Sequence, residues 1–263
     1  KATSTLVPLM GVIYISVAFI LTIMHINLVP GVVGRIFAEA FDFTAIFGGF
    51  AGSCMMFGIK RGLYSNEAGV GSAPNAAAAA DVSHPVKQGL VQMLSVFIDT
   101  LLICTATAFM CLSSGIEPTK ELAGAPYVQA ALAASMGDYA KLFITVSMVL
   151  FAFTTLLGNL YYVDNAFAYV LKHVPGKTFT LCYRILACVL IFIGAGSSMG
   201  TMWDLADVTM GFMAIINLPV ICILGGPALR ALDDYTEQRD AGKNPEFKAS
   251  KIGLTQKLDY WQD

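Results

Sequence analysis

The chain has 263 residues, 56% apolar and 13% charged, with a mean hydropathy of +0.68 and a formal net charge of −2. A soluble domain carries roughly 25% charged residues, so this composition excludes a water-soluble globular chain of this length. Six cysteines at irregular spacing, with no C-x-x-C pair, point neither to a zinc site nor to a disulfide framework.

The apolar residues gather into six stretches, near 6–26, 43–59, 90–111, 142–162, 179–196 and 208–224. Each is long enough, or nearly so, to cross a hydrocarbon core about 30 Å thick as a helix. The strict alternation of a transmembrane barrel is absent. The predicted fold class is an all-α integral membrane protein, with six transmembrane helices in a region 1–229 and a charged tail over 230–263. If the first helix leaves the cytoplasm, thirteen of the sixteen Lys and Arg residues fall inside, and only Arg35, Lys120 and Lys141 fall outside. That asymmetry predicts a plasma-membrane protein with a cytoplasmic C-terminus. The chain opens on Lys1 directly ahead of a span, and reads as a fragment whose N-terminal helices are missing.

In chain order, the first span ends near His25, and a short outer helix is predicted over 32–41. The second span carries Gly48, Gly49 and Gly52 around Phe50. Three glycines so close weaken a helix by ~1 kcal/mol each relative to alanine. Such a stretch either lets a neighbouring helix pack closely or marks a break. A polar, Gly-rich loop over 60–74 follows, expected to be cytoplasmic, with Asn66, Glu67, Gly69 and Gly71. Asn75 and five alanines after Pro74 should be helical. Gly69-x-Gly71 lacks the third glycine, the preceding strand and the Gly-Lys-Ser/Thr of a phosphate cradle, so no nucleotide or nucleic-acid partner is indicated.

The third span carries Gln88, Gln92, Ser95 and Asp99 on one helical stripe. A carboxylate at that depth faces protein or water, either as a structural group or as part of a transport path. A long outer segment over 113–136 precedes the fourth span. There Thr154, Gly158, Tyr161 and Asn165 share one stripe, and Thr155, Asn159 and Tyr162 the next. Paired hydroxyls at mid-membrane suit a small, hard cation, although threonines also satisfy themselves on the i−4 carbonyl. The link over 194–207 places Trp203, Asp204 and Asp207 at the outer interface, and the tail reads as an amphipathic strap on the membrane surface. His25, His84 and His173 are scattered near membrane edges, and no Ser-His-Asp set or His-Glu-x-x-His motif is present. No enzyme and no cofactor are indicated.

Several segments together resemble the alanine or glycine:cation symporter family. The first is Arg61-Gly-Leu-Tyr-Ser-Asn-Glu-Ala-Gly-Val-Gly-Ser-Ala-Pro-Asn75. It is followed by His84-Pro-Val-Lys-Gln-Gly-Leu90, Val96-Phe-Ile-Asp-Thr100, the run from Phe151 to Tyr162, Trp203-Asp-Leu-Ala-Asp207 and the tail from Asp234 to Phe247. Val163-Asp164 stands where the family more often has Gly-Glu, and Leu160 where a third aromatic is common.

The resemblance implies sodium-coupled symport of a small neutral amino acid, alanine or glycine, by alternating access. It also implies two inverted five-helix repeats of the LeuT type, with a broken helix at the centre of each. On that basis Gly48, Gly49, Phe50 and Gly52 become the unwound substrate segment, and Thr154 and Thr155 lend two hydroxyls to sodium. A broken helix offers backbone donors to a carboxylate and carbonyls to an ammonium. The implied partners are the amino acid, sodium, the bilayer and the missing N-terminal helices of the same protein, which would complete the site. A proton-coupled carrier using Asp99, or a helical membrane protein without transport activity, are the alternatives.

Overall fold

The computed structural model describes residues 2–41, 58–62, 64–67, 69–117, 119, 122, 124–254, 258, 260 and 261. Among them helix is the only regular structure. Helix α1 (Ala2–Met24) ends at a 3-10 turn and is followed by α2 (Val29–Ala40), whose Pro30 sits in the first turn, where its missing N–H costs nothing. Helix α3 (Ala73–Ala77) is one turn long. The third span runs as α4 (Pro85–Ile98), a π-helical segment (Asp99–Cys104) and α5 (Thr105–Leu112). Helices α6 (Ala125–Met136), α7 (Asp138–Leu171), α8 (Lys177–Ala195) and α9 (Met199–Asp240) complete the order.

Five of these elements are long and apolar enough to cross a membrane: Thr5–Met24, Pro85–Leu112, Asp138–Leu171, Lys177–Ala195 and Met199–Asp240. They correspond to five of the six expected spans. The remaining one, 43–59, falls almost wholly outside the described residues.

Two compact units can be distinguished, one of Lys1–Asn66 with Val96–Asn159, the other of Glu67–Ser95 with Leu160–Asp263. In the first, Ala18, Leu21, Met110, Leu132, Ala140 and Ile144 form a core joining α1, α5, α6 and the start of α7. Ala18 and Ala140 are fully buried; small side chains there let the helix backbones approach. The Tyr14 hydroxyl meets Thr107 Oγ1 at 2.8 Å, so its polar end is satisfied inside an apolar contact.

In the second unit α9 runs unbroken for 42 residues, with Pro219 and Pro227 inside it. At 1.5 Å per residue that is roughly 60 Å, about twice the hydrocarbon thickness, and the helix continues through to Asp240. The tail beyond it folds back on the helix: Phe247, Ala249 and Ile252 bury themselves with Ala231. The tail read from the sequence as an amphipathic strap thus packs on α9 through these residues. The alanine run differs from expectation. Beyond Ala77 the N–H groups of Ala79 and Ala80 bond three residues back, to Ala76 and Ala77, and the helix ends ahead of the chain's approach to Pro85. No residue of α8 is buried, and its apolar side chains stay uncovered, as in a helix whose faces meet lipid or further protein.

Candidate functional site

Gly48, Gly49, Phe50 and Gly52 lie outside the described residues. The expected sodium ligands do not. Thr154 is buried on α7, and its Oγ1 donates to the carbonyls of Leu150 at 3.0 Å and Phe151 at 3.1 Å. This is the back-bonding by which a threonine satisfies itself in a helix. Because the hydroxyl gives its proton to the helix, its oxygen lone pairs remain available to a cation. Thr155 and Asn159 are exposed on the adjoining stripe. Neighbouring helical positions stand about 100° apart, so a cation touching both threonines would sit against the flank of α7 between them.

Asp99 opens the π-helical segment, fifteen residues into the span that starts at Pro85. Ser65 Oγ donates to Asp99 Oδ2 at 2.6 Å, and Thr100 Oγ1 donates to Asn66 Oδ1 at 2.9 Å. Asn66 in turn donates to the Gly62 carbonyl at 3.1 Å. A π-helical turn widens the helix and disturbs the i−4 register of its carbonyls, and such turns gather at functional positions. The polar pair Ser65–Asn66 thus bonds to the middle of a membrane span, a placement deeper along it than a solvated loop requires.

Glu67, Gly69 and Gly71 belong to the second unit and form a tight turn. Ser72 Oγ donates to Glu67 Oε2 at 2.7 Å, and the Val70 N–H reaches the Glu67 carbonyl at 3.3 Å. Glu67, Gly69 and Gly71 have φ of +50°, +78° and +98°, values that L side chains rarely adopt. The turn lies against α9, where Asn217 Nδ2 donates to the Gly69 carbonyl at 3.0 Å. A β-carbon on Gly69 would stand 2.8 Å from Leu218 Cδ2, and one on Gly71 2.9 Å from Asn217 Cγ. Both glycines are therefore needed twice, for their backbone conformation and for the close approach to α9. Asn217 sits at the middle of the apolar stretch 208–224, where an unpaired amide is costly, and the turn provides its partner.

The same unit holds a cavity of about 860 Å³, walled by α3, the alanine run, Pro85 and the tail residues Tyr260 and Trp261. Gln88 and Gln92, predicted on one stripe, both line it. Asn165 on α7 donates to the Asn75 carbonyl at 3.4 Å, tying α3 to that helix. Sequence reasoning missed Ser65 and Asn217. Ser65 stands beside Asn66 inside the motif that runs from Arg61 to Asn75, and Asn217 is a lone amide in an otherwise apolar span. Among the described residues no cluster of His, Cys, Asp and Glu is suited to a multivalent metal.

Comparison with known proteins places these features in context. Residues 1–249 match the sodium:alanine symporter family. The chain is 43% identical over 258 residues to the amino-acid carrier protein AlsT of Bacillus subtilis, covering 98% of this chain and 54% of the relative. It is 41% identical to the probable sodium/glutamine symporter GlnT of the same organism, covering 99% and 54%. With the sodium/proton-dependent alanine carrier protein of Bacillus sp. strain PS3 it shares 38% identity, covering 100% and 62%. The chain spans about half the length of the curated relatives it matches.

Proposed function

Since this chain belongs to the sodium:alanine symporter family, we propose that it forms part of a carrier driving a small neutral amino acid across the cell membrane with sodium. The observation that carries the reading is identity of about two residues in five, along nearly the whole chain, to proteins named as amino-acid carriers and sodium symporters. A multi-pass membrane protein is the setting that family and apolar helices require. The segment of Gly48, Gly49, Phe50 and Gly52 binds the substrate, with backbone donors and carbonyls in place of buried charged side chains. The rest of the relatives' length corresponds to helices that complete the site, in two inverted repeats that alternate in access.

Thr154 and Thr155 contribute two oxygens to the sodium shell. The geometry of Thr154 supports this, since a hydroxyl held on its own helix by donation is preoriented with its lone pairs free. Coupling follows from linkage: sodium that favours the substrate-competent arrangement raises substrate affinity, and substrate raises sodium affinity by the same factor. The test is uptake by the full-length protein as a function of sodium. Thr154→Ala with Thr155→Ala should raise the half-saturating sodium concentration, because a partly dehydrated cation loses two ligands. Unchanged sodium dependence would make the pair structural.

A second reading is favoured by one observation. One relative is named for sodium and proton dependence together, and Asp99, which lies mid-span, is the carboxylate that would carry a coupling proton.

A further inference from the structure

The tail contact around His84 holds a titratable group that transport chemistry does not use. His84 is fully buried and immediately precedes α4. Its Nδ1 accepts the Val86 N–H at 3.2 Å. That bond caps the helix, satisfying one of the N–H groups left open at its first turn. A nitrogen that accepts has no proton, so the neutral ring carries its proton on Nε2. Nε2 stands 3.4 Å from Asp234 Oδ2 on α9, without the alignment of a hydrogen bond. The rings of Tyr235 and Phe247 close on the imidazole edge to face, each with centroids 5.2 Å away. His84 is thus the plug between the start of α4, the end of α9 and the returning tail.

The tail is fastened around this plug. The Phe247 N–H bonds to the Ser83 carbonyl at 3.0 Å, and Ser83 Oγ bonds to the Pro245 carbonyl at 2.8 Å. Lys87 Nζ reaches Asn244 Oδ1 at 2.6 Å. Gln238 and Glu246 exchange two bonds, at 2.9 and 3.0 Å. Farther along, the Tyr260 hydroxyl donates to Asp81 and Trp261 Nε1 to the Val82 carbonyl. The last two rings also wall the 860 Å³ cavity that Gln88 and Gln92 line.

We propose that this arrangement is a proton-sensitive latch: neutral His84 holds the C-terminal tail on the inner end of the third span, and its protonation releases the tail and opens the cavity wall. A proton added at Nδ1 would face the Val86 N–H, setting donor against donor and removing the cap. Burial holds the His84 pKa below its usual value of 6.5, against the pull of the Asp234 carboxylate. Lys87 and Lys251 add further opposition to a second positive charge. Asp234, the carboxylate facing the ring, is itself bonded by Lys251 and Gln238, so much of its charge is already answered. The sign follows: a group neutral in the docked state and ordinary once released contributes its stabilisation above pH 6.5. That contribution is lost as pH falls toward and through the docked value.

The inference is independent of the transport reading, because docking is measured without substrate or sodium. Hydrogen exchange of the segment 244–254 in the full-length protein, divided by the rate of the free peptide at the same pH, reports release. In the wild type this ratio should be level above pH 7, then rise by up to about tenfold per pH unit below ~6.5, the limit for one proton. His84→Asn keeps a side chain that caps helices and does not titrate, so its ratio should be flat from pH 7.5 to 5.5. If asparagine is too small to hold the tail, His84→Gln serves, and a tail already loose at pH 7.5 in both variants still supports the plug. A wild-type ratio flat across this range would overturn the proposal. So would an acid-dependent rise of equal size in both variants.

Discussion

Replacing Gly71 by alanine perturbs the turn of Glu67, Gly69 and Gly71 at a cost set by its backbone and by its contact with α9. The backbone there has φ +98°, and holding a residue with a β-carbon in such a conformation costs about 1–3 kcal/mol. The new methyl would also lie 2.9 Å from Asn217 Cγ, 3.1 Å from its Oδ1 and 3.2 Å from its Cβ. Two of those atoms are close to the root of the side chain, so a small rotation at the tip gives no relief, and overpacking of this kind costs about 1–3 kcal/mol. If Asn217 swings away to escape, it loses the 3.0 Å bond to the Gly69 carbonyl, about 1 kcal/mol. The sum is about 2–6 kcal/mol if Asn217 stays and about 2–4 kcal/mol if it swings away, in either case a large share of the stability of a marginal protein. The assay is thermal unfolding of the full-length protein in detergent, followed by size exclusion, for Gly71→Ala, Asn217→Ala and the double variant. Gly71→Ala should unfold at clearly lower temperature. The double variant should be less affected than the two single losses together, since removing the amide relieves the clash while the backbone strain remains. The expected coupling is about 1–3 kcal/mol, the range for residues in contact. A wild-type unfolding temperature for Gly71→Ala, or strict additivity, would refute the reasoning.

Two further outcomes are expected. In the proton reading, Asp99→Asn in the full-length protein should abolish uptake driven by a proton gradient; wild-type uptake that ignores a proton gradient removes that reading. Because the basic residues segregate so strongly, a single cysteine at Lys243, in a background without reactive native cysteines, should resist an impermeant thiol reagent in intact cells and react after permeabilisation. Ready labelling in intact cells would invert the topology.

Five of the spans were legible because a helix that meets lipid or other helices needs about 20 consecutive apolar residues, a demand met locally in the sequence. The short helix after the first span and the helix within 113–136 were legible from prolines and glycines for the same reason. What was hidden depended on partners distant in the chain. Asn66, Glu67, Gly69 and Gly71 read as polar loop residues, because nothing local indicates that Thr100 donates to Asn66 or that Asn217 donates to the Gly69 carbonyl. The π-helical segment at Asp99 was hidden as well, since its helical stripe continued unbroken in the pattern. Thr154 illustrates both sides: the hydroxyl was visible and its back-bonding foreseen, while its burial beside an exposed Thr155 came only from the packing of α7. His84 looked like a stray histidine near a membrane edge. Its burial required a tail that begins some 150 residues later, and the tail's return onto α9 has no local mark beyond a scatter of apolar residues among charges.

The central claim, sodium-coupled carriage of a small neutral amino acid, is tested most directly by uptake into proteoliposomes. The full-length protein is reconstituted, radiolabelled alanine is supplied outside, and an inward sodium gradient is compared with equal sodium on both sides and with potassium in its place. Accumulation above equilibrium only with the sodium gradient, competed by unlabelled glycine, alanine or serine, is the expected result. Accumulation that ignores sodium, or none for any small neutral amino acid, would contradict the account.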